Sequence, residues 1–281
     1  MRKLLKYEMR ALNRRLFPIY IGMLGIAILN CFFGMGALTG SANFEHWIDS
    51  LPSPLSFAYA MFQGIVIFLF FGILVGMLVV WLLTTLNRFR KGLLGEEGYL
   101  MFTLPVTTGR LMGAKLLGAS IHLVLTGLVA FLSMFIMVGP DLIRDLMYFD
   151  LPAFLGEMLR TTPTLPLYVV EIVLLSMLSI FSSVLQFYFA MAIGHLSNRH
   201  RTLCSVAAYI GISTVVSMLT SLSAGTFLVI DALFLFDLEL LFTSEITGHI
   251  AMLFALISSV IPCLIYWFGT RYILKNRLNL E

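Results

Sequence analysis

Long apolar runs separated by short polar stretches set the rhythm of this chain. Six runs, at 16–38, 58–86, 116–138, 167–196, 203–222 and 250–272, reach the roughly 20 residues a helix needs to cross a hydrocarbon core about 30 Å thick. None shows the two-residue alternation of a barrel strand, so the pattern predicts an all-α, polytopic membrane protein with one six-span domain over 16–272. The second and fourth runs are near 30 residues, about 45 Å as continuous helix, and are expected to tilt or to project beyond the bilayer. Ahead of the first run, residues 1–15 place Leu5, Met9, Leu12 and Leu16 on one helical face and Lys3, Lys6, Arg10 and Arg14 on another. That arrangement predicts an amphipathic interfacial helix lying on the membrane before the chain turns inward. A cleaved secretory leader is the competing reading, but 23 apolar residues exceed a leader's core.

Composition agrees: 59% apolar and 12% charged residues and a mean hydropathy of +0.96 exclude an ordinary soluble domain. Charge then orients the spans. Six of the 18 Lys and Arg precede the first span, five lie in 87–115, two in 197–202 and three from Arg271 onward, while the alternate loops hold only Arg144 and Arg160. By the positive-inside rule both termini, including the tail 273–281, are predicted to be cytoplasmic. Ten of the 15 acids fall on the opposite side. The segment 226–242 is apolar enough to suggest a seventh span, but Asp231, Asp237 and Glu239 would each cost roughly 2.5–3.5 kcal/mol near a helix centre. It is expected instead to form one or two short helices dipping into the outer leaflet or lying on it. In the stretch 139–166, Leu142, Leu146, Phe149 and Leu151 are expected to anchor to the same surface.

The loop 87–115 differs from the others. It is basic at both ends and apolar-aromatic in the middle, with Gly92, Gly95 and Gly98 early and Pro105 late. A helix over 96–104 would put Glu96 and Glu97 at its positive end and Tyr99 and Phe102 three residues apart on one side. Pro105 would end it, and Thr107 or Thr108 would cap the next helix, with Arg110 and Lys115 at its foot. Such a knob between two spans can dock a soluble partner or lie on the membrane with its two aromatics as anchors.

The run Glu97-Gly98-Tyr99-Leu100-Met101-Phe102-Thr103-Leu104-Pro105-Val106, with Arg110-Leu111 and Lys115-Leu116 behind it, resembles the cytoplasmic loop of ABC exporter permeases of the six-helix, type-2 family. The resemblance covers about twenty residues of the chain. It implies that the loop carries a coupling helix seated in a groove of an ATP-binding subunit, with Glu96, Glu97, Gly98, Tyr99, Phe102, Leu104, Pro105 and Arg110 as coupling residues. It further implies two permease chains, identical or homologous, with two ATPase subunits that bind the ATP and Mg, in a bacterial-type plasma membrane. The cargo class would be amphiphilic, such as a peptide, drug or lipid.

No catalytic set is visible, nor a phosphate-cradling Gly-Lys-Ser/Thr loop, so ATP hydrolysis would belong to another chain and no cofactor is expected in this one. Cys31, Cys204 and Cys263 lie inside apolar runs and are expected to be buried small hydrophobes, not metal ligands. No metal and no nucleic acid are expected; lipids are. Gln63, His122, Glu171, Gln186 and His195 fall within spans, where polar groups face a bundle interior, a partner or a water path. Gln63, Glu171 and Gln186 are candidates for a substrate path; Glu171 can equally reach headgroups, and the two histidines are helix-contact or headgroup residues before they are proton relays. Gly72, Gly76, Ser176, Ser179, Ser182 and Ser183 offer close helix approach within the bundle or across a dimer seam. Two other classes compete with the exporter: an ion- or proton-coupled secondary carrier, and a non-transporting anchor or sensor subunit.

Overall fold

A computed structural model of the chain describes residues 2–33, 52–95, 98, 106–138, 148–197, 200–235 and 245–276. All elements in these ranges are helical: α1 (Arg2–Phe33), α2 (Ser53–Phe89) continued by a π-helical turn (Arg90–Leu94), α3 (Thr108–Val138), α4 (Leu151–Thr161), α5 (Leu165–Gly194), α6 (Arg201–Leu235) and α7 (Glu245–Asn276). Six of them, all but α4, are long and apolar enough to cross a membrane, the architecture of a multi-pass membrane protein. At 11 residues, α4 is about 16 Å long and too short to cross. Leu151, Phe154, Leu155 and Leu159 lie exposed along it, with Glu157 between the last two and Arg160 directly after them in the sequence.

The helices run further than the apolar runs. The interfacial helix expected over 1–15 and the span expected from 16 form one helix of 32 residues with Pro18 inside it. Pro18 removes one backbone bond, but Leu12, Leu16, Tyr20, Met23 and Ala27 form a single buried stripe on both sides of it, and packing along that stripe outweighs the lost bond. The expected division of faces holds in part. Lys3, Lys6, Arg10 and Arg14 are exposed and Leu12 and Leu16 buried, whereas Leu5 and Met9 are half-buried. Likewise α6 continues from the fifth span through 226–235 without a break, because no proline interrupts Ser221–Leu235. Residues 236–242, with Asp237 and Glu239, lie outside the described ranges. The hydrophobic stretch that includes the π turn is 42 residues, about 60 Å of helix, so part of it must tilt or stand outside the hydrocarbon.

The chain divides into two compact units, one of Arg2–Thr85 with Ile121–Pro152 and one of Leu86–Ser120 with Ala153–Glu281. In the first, Met23 and Ala27 of α1 pack with Phe70 of α2, flanked by Ile26, Ile73, Leu74, Val129, Ile136 and Met137. A short chain of hydrogen bonds joins α1 to α3 within it. Thr126 Oγ1 donates to the His122 carbonyl at 2.7 Å, which spends its only proton, so the Tyr20 hydroxyl 2.7 Å away is the donor to Thr126.

In the second unit α5 packs against both α6 and α7. Phe187 stacks on Tyr209 of α6 with centroids 4.7 Å apart, Gln186 Nε2 donates to Ser213 Oγ at 2.6 Å, and Phe189 meets Tyr266 of α7 at 5.7 Å. Close approach is concentrated at Gly194, where Ser205 occupies the space a side chain would need, and at Gly269, where the Phe189 ring does. Gly72 and Gly76, expected to serve this purpose, have no neighbouring atom within 4 Å of a would-be Cβ, and Ser176 and Ser179 are exposed. Cys31, Cys204 and Cys263 are free and half-buried, not sealed in a core.

Gly194→Ala is therefore expected to cost about 1–3 kcal/mol of stability through overpacking, seen as a lower thermal midpoint in detergent. Gly127→Ala, whose Cβ would meet nothing within 4 Å, is expected to leave the midpoint unchanged or slightly raised. Equal midpoints for the two variants would contradict the close approach.

Candidate functional site: the root of the 87–115 loop and the polar contacts of α5

The loop is described at its two limbs. Glu96, Glu97, Tyr99, Phe102, Leu104 and Pro105 lie outside the described residues; Gly98 is buried and donates its N–H to the Gly95 carbonyl at 2.8 Å. Arg110 stands exposed in the first turn of α3, whose opening N–H groups at Arg110 and Leu111 bond the Thr107 carbonyl.

On the descending limb the helix does not stop at the first glycine of the loop, Gly92. It widens into the π turn, with Gly92, Leu93 and Leu94 buried, and ends at Gly95 in an extended conformation. π turns within helices occur frequently at functional sites. The Lys115 ammonium lies 2.8 Å from where a Cβ of residue 92 would be, so a side chain there would displace the end of Lys115. Lys115 is itself buried and donates to the Arg88 carbonyl at 3.3 Å, placing a cation on the carbonyl end of α2, where the helix dipole favours it.

One side chain of α5 holds both limbs. The Tyr188 ring stacks on Phe89 of the descending limb, centroids 4.0 Å apart and planes 12° from parallel, and its hydroxyl donates to the Lys115 carbonyl of the ascending limb at 3.3 Å. Phe89, Leu93, Met112, Val184 and Leu185 are buried as well. Arg90, Lys91, Arg110, Arg201, Arg271 and Lys275 are exposed. His195, one residue past the end of α5, is pushed below the ordinary histidine pKa, first by burial and then by the Arg201 and Arg90 guanidinium groups. An interior sealed by aromatics, with exposed cations on the elements around it, suits an acidic or phosphate-bearing surface.

Near the other end of α5 the predicted path residue Glu171 is buried and paired. His249 Nδ1 of α7 lies 3.1 and 3.0 Å from its two carboxylate oxygens, and Tyr168 stacks on the imidazole at 4.0 Å. His249 Nε2 is buried and has no hydrogen-bond partner in the structure. The tyrosine hydroxyl fills the space beside Gly248, so a side chain there would displace it. Gln186, fifteen residues further along α5 and hence about 22 Å away along the axis, serves a separate contact with α6. Gln63 is a buried amide of the other unit whose Nε2 has no partner in the structure. Within the second unit, Glu171 and Gln186 thus make separate contacts, one with α7 and one with α6.

His249 is the functional candidate that sequence reasoning missed, because the sixth apolar run was drawn from 250. The signal was an imidazole one residue outside that boundary. Tyr188 carried a signal too: a tyrosine inside an apolar run has a hydroxyl that needs a partner. Among the described residues no group of three His, Cys, Asp or Glu side chains comes together.

The fold and these contacts define a helical multi-pass membrane protein in whose second unit α5 packs against α6 and α7. No protein-family model, no curated protein and no solved structure matches the chain.

The Glu171–His249 bond is expected to contribute about 0.5–2 kcal/mol, the range of interhelical hydrogen bonds in membranes. A double-mutant cycle of Glu171→Gln and His249→Gln, read by unfolding in detergent, should return a coupling energy in that range. A coupling indistinguishable from zero would mean that the two residues do not meet.

Proposed function

We propose that this chain is the membrane permease subunit of an ATP-driven ABC exporter, in which the segment 96–104 is a coupling helix gripped by a separate ATP-hydrolysing subunit. The observation that carries the reading is the rooting of the loop: Tyr188 touches Phe89 on one limb and Lys115 on the other, so a push on the loop reaches α5 directly. The exporter-like run from Glu97 to Val106 and the exposed cations of this unit support the same reading. In it both termini are cytoplasmic, two permease chains assemble with two ATPase subunits that bind ATP and Mg, and an amphiphilic cargo crosses a plasma membrane.

A second reading, a carrier driven by an ion or proton gradient, is favoured by the buried Glu171–His249 pair and the unpartnered Nε2. The two readings separate in proteoliposomes. The exporter needs its ATPase subunit, whereas the carrier works from a gradient with this chain alone.

Tyr99→Ala combined with Phe102→Ala is expected to remove an ATP-hydrolysing subunit from affinity pull-downs and to abolish its stimulation by the permease, with the variant still folded in the membrane. Unchanged assembly and unchanged stimulated hydrolysis would refute the coupling role.

A further inference from the structure

The attachments of α5 at its two ends have a bearing on each other. Tyr188 joins it to both limbs of the loop, and Glu171 joins it to His249 of α7. The two residues are 17 positions apart, about 26 Å along a helix rising 1.5 Å per residue. No proline or glycine interrupts the helix between them. Ser176 and Ser183 return their hydroxyls to carbonyls of α5 itself, at 2.9 and 2.8 Å, and the helix is continuous from Leu165 to Gly194. Beside Tyr188 the helix is braced by the Phe187–Tyr209 stack and the Gln186–Ser213 bond on α6 and by the Phe189–Tyr266 contact on α7. A helix braced in this way shifts as a body more easily than it bends, and packed interfaces answer small shifts by changing arrangement.

We propose that α5 is a rod linking the state of the loop root to the state of the Glu171–His249 pair, with Tyr188 as the positioning residue at the loop end. Disturbing one attachment alters the other. The link is reciprocal, as any free-energy coupling between two sites must be. It rests only on contacts within this chain; the exporter reading gives it a use and is not needed for its test.

The experiment is hydrogen exchange by mass spectrometry on the full chain in lipid nanodiscs. Tyr188→Phe removes only the hydroxyl, Tyr188→Ala removes the ring contact as well, and Glu171→Gln and His249→Gln each weaken the far pair. Tyr188→Ala is expected to raise exchange at least threefold at 165–172 and 248–252, and Tyr188→Phe to act in the same direction. Either far-end variant is expected to raise it at least threefold at 89–95 and 106–115. Exchange at 214–222 of α6 should stay constant in all four. Changes confined to the mutated end, changes in one direction only, or an equal rise at 214–222 that marks general loosening would each overturn the proposal. Should Tyr188→Ala fail to fold, Tyr188→Phe and the two far-end variants carry the test by themselves.

Discussion

The contact on which the second unit depends is that of one tyrosine with two pieces of chain far apart in sequence. Between lipid-embedded helices the hydrophobic effect supplies little, because lipid tails are as apolar as leucine, and association relies on close packing and interhelical hydrogen bonds. Tyr188 provides both: its ring lies flat on Phe89 and its hydroxyl reaches the Lys115 carbonyl. Around it the side chains are sealed, while Leu167, Val169, Val170, Ile172 and Val173 further along α5 are exposed, as suits helices whose solvent is lipid.

Lys115 follows from the same constraint. A buried ammonium is costly unless its donors are taken up, and here the α2 carbonyl end, widened by the π turn over Gly92, accepts it. The polar residues of α5 therefore divide by role. Tyr188 fixes the loop root, Gln186 fixes α6, and Glu171 fixes α7. Glu171 and Gln186 are thus both engaged in contacts between helices of the second unit.

The six spans were legible in the sequence, since apolar length alone sets them. Their ends were not. Pro18 and the basic residues before it mark a boundary by local rules, yet the buried stripe from Leu12 to Ala27 carries α1 straight through. Hydropathy likewise ended the second span before Arg88, where charge begins, although the helix and its π turn go on to Leu94 because Leu93 and Leu94 find a packed interior there. The Glu171 site was half legible: an acid in an apolar run called for a partner, but the partner lies on a helix 78 residues away, a separation that no local pattern spans. Gly72 and Gly76, candidates for close approach in the bundle or across a dimer seam, meet nothing of this chain within 4 Å, while close approaches within the chain fall at Gly194, Gly248 and Gly269, where a facing Ser, Tyr or Phe, invisible to spacing rules, decides.

The coupling role proposed for the loop requires that a partner grip the segment 96–104. A photocrosslinking amino acid placed at Tyr99 in native membranes tests this most directly, with the adducts identified by mass spectrometry. The account predicts a covalent adduct to a protein that carries a phosphate-cradling Gly-Lys-Ser/Thr loop. Adducts to lipid alone would contradict it.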